Sequence, residues 1–383
     1  MPDQPVAHPG CRYVPKRRIV DIRTDCFHFR GHVPCAPHKR EGVHCVDCAH
    51  YRPRAGRILL IKLGAAGDVI RTTPLLEPLR REYPDHALTW VTEFPELLPE
   101  LVDDPVRLDT ETVLWLEETR FDLVINLDKD RQACALARRI QADRRLGFTL
   151  GDDGLCRPVT GDLPARQAAA AQEKFLTGLF DDVNLACTLS YPQEIFAICG
   201  YDFAGEEYVL DRPLPAPVFD LPGGKAMVGL NTGCGGRWTS RLWPEKYWQQ
   251  LAADLVKAGY AVVLLGGPDE DAKNTRLAAA SGACYPGHFD LQTFIGLVDR
   301  CDLVVTAVTM AMHIALGLGK KLVLLNNIFN PHEFELYGRG RILGPEQPCR
   351  CFFQPRCTEP TFCLETLRPS AVNAAVGELL EQA

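Results

Sequence analysis

The stretch 57–83 constrains the fold of this chain more than any other feature. It opens with an apolar run at 58–63, which ends at a Gly-Ala-Ala-Gly-Asp turn, residues 64–68. Apolar side chains then recur at helical spacing as far as Tyr83. This pattern predicts a buried parallel strand, a tight loop and a helix. Because ligands of open α/β sheets bind where strands end and helices begin, we expect the turn to line a cleft.

Asp68 closes this turn and stands at the predicted start of the helix. The helix dipole favours the ionised form of a carboxylate there, which suits a general base and does not suit a phosphate site. The turn is not a P-loop, because no Gly-Lys-Ser/Thr follows it, and it lacks the third glycine of a dinucleotide fingerprint. Local spacing alone is equally compatible with Asp68 acting only as a helix cap.

Residues 61–76, Ile-Lys-Leu-Gly-Ala-Ala-Gly-Asp-Val-Ile-Arg-Thr-Thr-Pro-Leu-Leu, resemble the N-terminal signature of the ADP-heptose:lipopolysaccharide heptosyltransferases, glycosyltransferase family 9. The resemblance runs from about Arg57 to the C-terminus and does not cover the first 50 residues. It implies that Asp68 is the base that deprotonates the acceptor hydroxyl. Lys62 and Arg71 would then lie on the acceptor side.

Composition limits the class of protein. A chain of 383 residues exceeds the size at which single cores stop growing, so two domains are expected. A hydrophobic fraction of 46% describes an ordinary globular protein, and the net charge of −7 argues against a nucleic-acid partner. The sequence shows no signal peptide and no membrane-spanning run, so we expect a cytoplasmic protein that can also sit peripherally at the inner face of the membrane.

The first 53 residues form a predicted Cys/His-rich module. Residues 26–50 hold five of the ten histidines and four of the sixteen cysteines, namely Cys26, Cys35, Cys45 and Cys48. Cys45-x-x-Cys48 has the spacing of a zinc knuckle, and the other two thiolates could complete a tetrahedral set. Structural zinc is therefore the expected metal, since so short a module has little apolar surface of its own. An iron–sulfur cluster and unpaired surface cysteines are the alternatives.

Strands and helices alternate from residue 54 onwards, which predicts βαβ units around parallel sheets. We predict an acceptor-side Rossmann-like domain at 54–210, a Pro/Gly-rich linker at 211–224 and a nucleotide-sugar domain at 225–345. A cysteine-containing tail with a helix that crosses back to the first domain follows at 346–383. In the first domain, Asp128-Lys129-Asp130 has the form of a metal–diphosphate motif, but Lys129 would repel a cation.

In the second domain, the strand at 227–231 leads into a glycine-rich turn that begins with Thr232 and Gly233 and is followed by Arg241. Backbone donors and a fixed positive charge are what a nucleotide diphosphate requires. The resemblance agrees, because Arg241 stands where the family has a Lys or Arg that contacts the donor phosphates. It also implies that Glu270, in the next glycine turn, binds the donor ribose, although a plain turn explains that segment equally well.

Residues 302–318 carry a further donor element of the family. Thr309 and His313 match its Asp-Ser/Thr-Gly-x-x-His pattern, whereas Val308 replaces the acid and Met310 replaces the glycine. Without the glycine the backbone cannot approach a phosphate as closely. The amides and acids of residues 326–335 follow the next strand, and we expect them to recognise the donor sugar instead.

A second group of cysteines lies near the C-terminus, at Cys349, Cys351, Cys357 and Cys363. Four thiols within fifteen residues could bind zinc or pair into disulfides, and a reducing compartment favours the thiolates.

These observations predict an α/β protein of the GT-B type, with two facing Rossmann-like domains and a small N-terminal module. The resemblance implies an inverting transferase without a catalytic metal, which moves a heptose from ADP-heptose or a related donor to a lipid-linked lipopolysaccharide-core or other surface-glycan acceptor. The alternatives are a different sugar nucleotide or a degenerate member acting as a metal-dependent scaffold. Val308 and Met310 favour these alternatives, and Asp68, Arg241 and His313 favour the enzyme.

Overall fold

The computed structural model describes residues 22–381 and divides them into two compact units. Of the described residues, the N-terminal module holds 22–56 together with Asp85–Ala87, and the main unit holds Arg57–Pro84 and 88–381. Within the described residues, no α-helix is both long enough and apolar enough to cross a bilayer.

The N-terminal module is a short chain held by few regular contacts. Its helix α1 spans Ala36–Glu41, and Cys26 forms an isolated antiparallel bridge with Pro53. The amide of Phe27 donates to the carbonyl of Arg52 over 2.9 Å. The side chains of Cys26 and Phe27 are buried, so the module has only a small apolar centre.

The main unit is built on two sheets. In chain order the strands are β1 Gly56–Ile61, β2 His86–Thr92, β3 Asp104–Arg107, β4 Arg120–Asn126, β5 Gln141–Leu150, β6 Cys156–Pro158, β7 Met227–Asn231, β8 Ala261–Leu265, β9 Leu303–Ala307, β10 Lys321–Leu325 and β11 Gly340–Leu343. The first sheet has six strands in the order β3-β2-β1-β4-β5-β6. In it β1 pairs in parallel with β4, and β5 pairs antiparallel with the short β6.

The second sheet has five strands in the order β11-β10-β9-β7-β8, and its neighbouring strands pair in parallel. In both sheets the direction of the strand order reverses, between β1 and β4 in the first and between β7 and β9 in the second. Crevices of ligand-binding α/β proteins open at such points, beyond the carboxyl ends of the strands. The two Rossmann-like sheets therefore each provide one crevice.

The remaining α-helices are α2 Ala66–Ile70, α3 Leu76–Glu82, α4 Thr110–Glu117, α5 Arg131–Arg139, α6 Ala165–Thr177, α7 Asp181–Ala186, α8 Tyr191–Cys199, α9 Glu245–Lys257, α10 Asp271–Ser281, α11 Leu291–Asp299, α12 Met310–Gly317 and α13 Pro369–Glu381. The predicted strand–turn–helix at 57–83 is present, but its helix is broken. A 3₁₀ turn at Thr73–Leu75 separates α2 from α3. Pro74 explains the break, because proline lacks an amide hydrogen and its ring clashes with the preceding turn.

Helix α13 was expected to cross back to the first Rossmann-like domain, and this expectation is wrong. It packs on α9 and on strands β10 and β11 of the second sheet. Its buried residues Val372, Val376 and Leu379 join the apolar cluster that Val323 and Leu325 of β10 also form. The apolar face of α13 is thus covered by the domain from which the chain leaves β11.

Candidate active site

A cavity of about 1110 Å³ lies between the turn after β1 and the turns after the strands of the second sheet. The residues that line it include Gly67, Asp68, Arg71, Gly233, Cys234, Trp238, Arg241, Glu270, Val308, Thr309, Met310, His313, Phe329, Glu333 and Phe353. It therefore collects side chains from both reversal points of the strand order, which is where an α/β protein is expected to bind a ligand.

Asp68 lies in the first turn of α2, where one of its carboxylate oxygens accepts a hydrogen bond from the amide of Ala65 over 3.1 Å. The other oxygen is 2.9 Å from Nε of Arg71, and the ammonium of Lys62 lies 3.9 Å from the oxygen that accepts from Ala65. Burial alone would raise the pKa of Asp68, but Arg71 and Lys62 outweigh it and lower the pKa to about 2. Asp68 is consequently an ionised carboxylate at any physiological pH, and it caps its helix as well.

Arg71 joins the two halves of the main unit. Its guanidinium contacts Asp68 on one side, and Nη1 lies 2.5 Å from the carboxylate of Glu333, which follows β10. It also stacks 3.9 Å from the ring centre of Tyr191. Burial alone would lower the pKa of Arg71, but Asp68 and Glu333 raise it. A permanent positive charge therefore holds two carboxylates at the cavity wall.

The glycine-rich turn after β7 presents Arg241 to the cavity. One guanidinium nitrogen donates to the carbonyl of Cys234 over 3.1 Å, and another donates to the carbonyl of Val308. In the described part of the chain Arg241 forms no ion pair, and its Nε is buried without a hydrogen-bond partner. Burial lowers the pKa of Arg241. A half-buried cation without a counter-charge is a site for an anion.

Glu270 lies over the same turn. Its carboxylate accepts a hydrogen bond from the amide of Gly267 over 3.0 Å. A Cβ on Gly233 would lie 2.1 Å from the Glu270 carboxyl group, so only glycine permits this close approach. Lys273 follows on α10 and donates to the carbonyl of Thr232 over 2.8 Å. An acceptor for hydroxyl groups and a second positive charge thus lie beside the Arg241 turn.

His313 lies on α12, and its side chain is buried with a relative exposure of 5%. Burial lowers its pKa to about 3, and the nearby Arg71 acts in the same direction. Within the described residues, the Nδ1 atom of this neutral ring is buried without a hydrogen-bond partner. Thr309 stands at the N-cap position of α12. Its hydroxyl is 3.2 Å from the side-chain amide of Asn231 and 3.0 Å from the hydroxyl of Thr306.

Comparison with known proteins agrees with this geometry. The sequence profile of glycosyltransferase family 9 (heptosyltransferase) matches residues 114–350. Lipopolysaccharide heptosyltransferase 2 of Escherichia coli K12 is 32% identical over 306 residues, which cover 72% of this chain and 84% of that protein. The chain belongs to glycosyltransferase family 9.

A second relative, lipopolysaccharide heptosyltransferase 1 of Pseudomonas aeruginosa, is 27% identical over 342 residues, covering 80% of this chain and 88% of that protein. The solved structure of the E. coli ADP-heptose lipopolysaccharide heptosyltransferase II superposes with a TM-score of 0.58 at 20% identity, over 85% of this chain and 99% of that one. The family 9 protein is therefore a glycosyltransferase, and its two Rossmann-like domains have the GT-B arrangement.

In this family 9 glycosyltransferase, most of the residues singled out from the sequence line one cavity. They are Asp68, Arg71, Gly233, Arg241, Glu270, Thr309 and His313. Val308 and Met310 line it too, so both departures from the family pattern lie at the site. Which of these residues touch donor or acceptor stays a prediction.

Lys62 and Thr232 are not part of the cavity wall. Lys62 is only 6% exposed and is ion-paired with Asp128. The Asp128 carboxylate also accepts a hydrogen bond from the amide of Leu63 over 2.5 Å. Asp128 thereby braces the turn after β1. Thr232 is 2% exposed, and its hydroxyl donates to Asn274 over 2.6 Å. Both residues support the site from beneath, as their side chains already have protein partners.

The amides of residues 326–335 are also used within the protein. Asn326 donates to the carbonyl of Phe329 over 2.8 Å, and Asn327 donates to that of Ser240 over 2.9 Å. Asn330 donates to the carbonyls of Asn184 and Cys187. The amides hold backbone segments, and Glu333 is the acid of this stretch that reaches the cavity wall.

Sequence reasoning missed the aromatic content of this wall. Phe94, Trp238, Phe289, Phe294, Phe329, Phe334 and Phe353 all line the cavity. Six of these rings come from separate loops and Phe294 comes from helix α11, and no local periodicity marks them as a set. The glycine turns signalled the polar residues of the site, whereas nothing comparable signalled the rings.

The cysteines predicted to bind zinc gather around a cavity in the N-terminal module. Cys26, Cys35, Cys45 and Cys48 line a space of about 190 Å³ together with His28, His38 and His44. These are suitable donors for zinc. Between residues 22 and 381, however, no three Cys, His, Asp or Glu side chains converge closely enough to hold a metal ion. This also holds for Cys349, Cys351, Cys357 and Cys363, so both metal sets stay predictions.

Proposed function

We propose that this glycosyltransferase moves a heptose from ADP-heptose to a sugar hydroxyl of a lipid-linked lipopolysaccharide core. Both relatives compared above are lipopolysaccharide heptosyltransferases. The solved structure compared above is that of an ADP-heptose lipopolysaccharide heptosyltransferase. The observation that carries the proposal is that an unpaired Arg241 and an ionised Asp68 share one cavity.

On the donor side, Arg241 supplies a positive charge for the diphosphate. The absence of a side chain at Gly233 lets Glu270 pack closely against this turn. Glu270 provides an acceptor for the paired hydroxyls of a ribose. Because Arg241 has no carboxylate partner in the described residues, a bound diphosphate would be its first counter-charge. Binding therefore needs no existing ion pair to be broken.

On the acceptor side, the attacking hydroxyl would form a bond to the anomeric carbon as the bond from that carbon to the diphosphate breaks. A single displacement of this kind inverts the anomeric configuration. The hydroxyl proton would pass to Asp68, and ADP would leave with its new charge stabilised by Arg241. Since the pKa of Asp68 is about 2, it is a weak base, so we expect proton transfer to occur late, when the attacking oxygen has become strongly acidic.

The test compares Arg241→Ala with Arg276→Ala, measured by titration calorimetry with ADP. Arg276 is an exposed arginine that pairs with Glu245 and does not line the cavity. Arg241→Ala should weaken ADP binding by ~1.5–3 kcal/mol, the range for hydrogen bonds to charged groups. Arg276→Ala should leave it unchanged. Equal affinities of both variants and the parent would place the phosphates elsewhere and overturn the proposal.

A different sugar nucleotide is the second candidate, and Val308 and Met310 favour it. Both side chains line the cavity at the positions where the family pattern has an acid and a glycine. If these departures select another sugar, the double change Val308→Asp and Met310→Gly should shift the preference towards ADP-heptose. Initial rates with a panel of ADP-, UDP- and GDP-sugars measure this, and an unchanged ranking would remove the second candidate.

A further inference from the structure

Three aromatic rings form one continuous wall beside Arg241. The ring centres of Trp238 and Phe329 are 5.6 Å apart, and Phe353 lies 5.5 Å from each of them. The guanidinium carbon of Arg241 is 5.8 Å from the Trp238 ring and 5.5 Å from the Phe329 ring. We call these three rings the aromatic wall.

The loop 351–357 presents Phe353 to the cavity. The sulfur atoms of Cys351 and Cys357, at its two ends, are 3.6 Å apart. Between them, the Phe353 amide donates to the carbonyl of Ile328 over 2.9 Å. The amide and the hydroxyl of Ser240 donate to the carbonyls of Pro355 and Gln354 over 3.1 and 2.6 Å. Ser240 precedes Arg241 directly, so this loop is fastened to the turn that carries the cation.

Phe353 itself has an unusual combination of backbone and exposure. Its φ of 51° lies in the left-handed region, which favours glycine. Its ring nevertheless lines the cavity and is 48% exposed. A large apolar ring in such a backbone conformation, open to a binding cavity, is a common feature of functional sites.

The cavity also contains apolar side chains besides the aromatic rings. Val308, whose carbonyl accepts from Arg241, and Met310 both contribute apolar surface. The acids that line the described cavity are Asp68, Glu96, Asp269, Glu270 and Glu333. Glu270 packs against Gly233, which leads through Cys234 to Arg241. A donor whose diphosphate lies at Arg241 would thus share one cavity with the carboxylate of Glu270 and with the aromatic rings.

We propose that the aromatic wall stacks on the C–H face of the donor's sugar and that Phe353 determines which sugar is accepted. This rests on the proposed function, since it takes the diphosphate to lie at Arg241. Aromatic faces attract the polarised C–H bonds of a pyranose ring and exclude water from it. The preferred sugar would be a pyranose with an uninterrupted C–H face, and a bulky axial substituent on that face would clash with Phe353.

The test uses Phe353→Gly, because glycine fits the left-handed backbone and removes only the ring. Phe352→Ala is the matched control, since this neighbouring ring is not part of the cavity wall. Titration calorimetry with ADP and with ADP-heptose gives two dissociation constants for each variant. Phe353→Gly should raise the dissociation constant of ADP-heptose roughly three- to tenfold and leave that of ADP unchanged. Phe352→Ala should change neither.

Two outcomes would overturn the inference. An equal loss for ADP and ADP-heptose would mean that the rings hold the nucleobase, which also stacks on aromatic side chains. Unchanged binding of ADP-heptose would mean that the sugar does not touch Phe353. The Arg241→Ala variant tests the binding of ADP alone. If Arg241→Ala weakens ADP binding as expected and either of these outcomes is also found, the role of the aromatic wall is refuted and the phosphate site at Arg241 is retained.

Discussion

The ring of His313 lies against the backbone of Gly67, so closely that a Cβ on Gly67 would come within 2.4 Å of its Cδ2 atom. Gly67 belongs to α2 and His313 to α12, so this contact joins the two Rossmann-like domains beside the candidate base Asp68. The second glycine of the turn after β1 is therefore required by its neighbour across the cavity. Local backbone conformation does not require it, since its φ is not positive.

We expect Gly67→Ala to displace His313 or α2. Overpacking of this kind costs roughly 1–3 kcal/mol of stability, and the shift of Asp68 should lower kcat by about tenfold or more. Gly377→Ala is the matched control, because no atom of the described residues, apart from its own helix and chain neighbours, lies within 4 Å of a Cβ at this helical glycine. It should be as stable as the parent or slightly more so. Urea unfolding and initial rates measure both variants, and equal behaviour of the two would contradict the contact.

Asp68→Asn keeps the hydrogen bond to the Ala65 amide and removes the ability to accept a proton. We expect kcat to fall by about 10²–10⁴, with little change in ADP affinity. Asp130→Asn provides the control, since Asp130 caps α5 through the amide of Ala133 and does not line the cavity. If Asp68 were only a cap, turnover of Asp68→Asn would stay within a few-fold of the parent, and Asp68→Ala would cost about 1 kcal/mol of stability.

His313 should make the stability of the protein depend on pH. Its pKa falls from an ordinary 6.5 to about 3 in the folded state, so below pH 6.5 the unfolded chain binds a proton that the folded one does not. The stability is therefore complete above pH 6.5 and declines as the pH falls towards 3. Between pH 8 and pH 5 we expect a loss of roughly 1–2 kcal/mol from this residue. Urea unfolding of the parent and of His313→Gln at several pH values measures this contribution. If the unfolding free energy of the variant depends on pH as that of the parent does, His313 is not the cause.

Asp68 has a lowered folded-state pKa, so its contribution lies in a different pH range. It stabilises the fold above the ordinary carboxylate pKa of 3.8, and this is lost as the pH falls through about 2. Consequently, Asp68 should give kcat no acid limb above about pH 4. A limb between pH 5 and 7 that disappears in Asp68→Asn would contradict the ion pairs with Arg71 and Lys62.

The N-terminal cysteines predict about one zinc per chain, which we expect to serve stability and not catalysis. Elemental analysis of protein purified without chelators measures it. Cys45→Ser together with Cys48→Ser should abolish metal binding and unfold the N-terminal module. Cys187→Ser, outside both cysteine groups, should retain the metal. Protein that carries neither zinc nor iron would remove this prediction.

Much of the fold could be predicted, because parallel strands and amphipathic helices have sequence periods of their own. The run 58–63 and the glycine after it located β1 and its turn correctly. The break at Pro74 was readable in principle, as proline interrupts helices. The position of α13 could not be predicted, because the sequence does not show which of the two sheets covers its apolar face.

The polar half of the site was predictable for a similar reason. Glycines that end strands mark the crevice, and the resemblance to family 9 then singled out Asp68, Arg241 and Glu270 near these turns. The partners of these residues could not. Arg71 and Glu333 are 262 residues apart, and no local pattern links them. The side-chain amides of asparagines 326, 327 and 330 suggested a sugar site from the sequence. In the structure these amides donate to backbone carbonyls.

The Arg71–Glu333 pair has a consequence for how the protein matures. The ribosome synthesises Asp68 and Arg71 well before Glu333, so a nascent chain that has not reached residue 333 has only the Asp68–Arg71 half of the charge arrangement. Tight folding of the first sheet therefore cannot by itself complete the site. A truncated product lacking the last 60 residues would retain Asp68 and Arg241 but would have neither Glu333 nor Phe353. The transferase thus assembles its full cavity only after residue 353 has been synthesised.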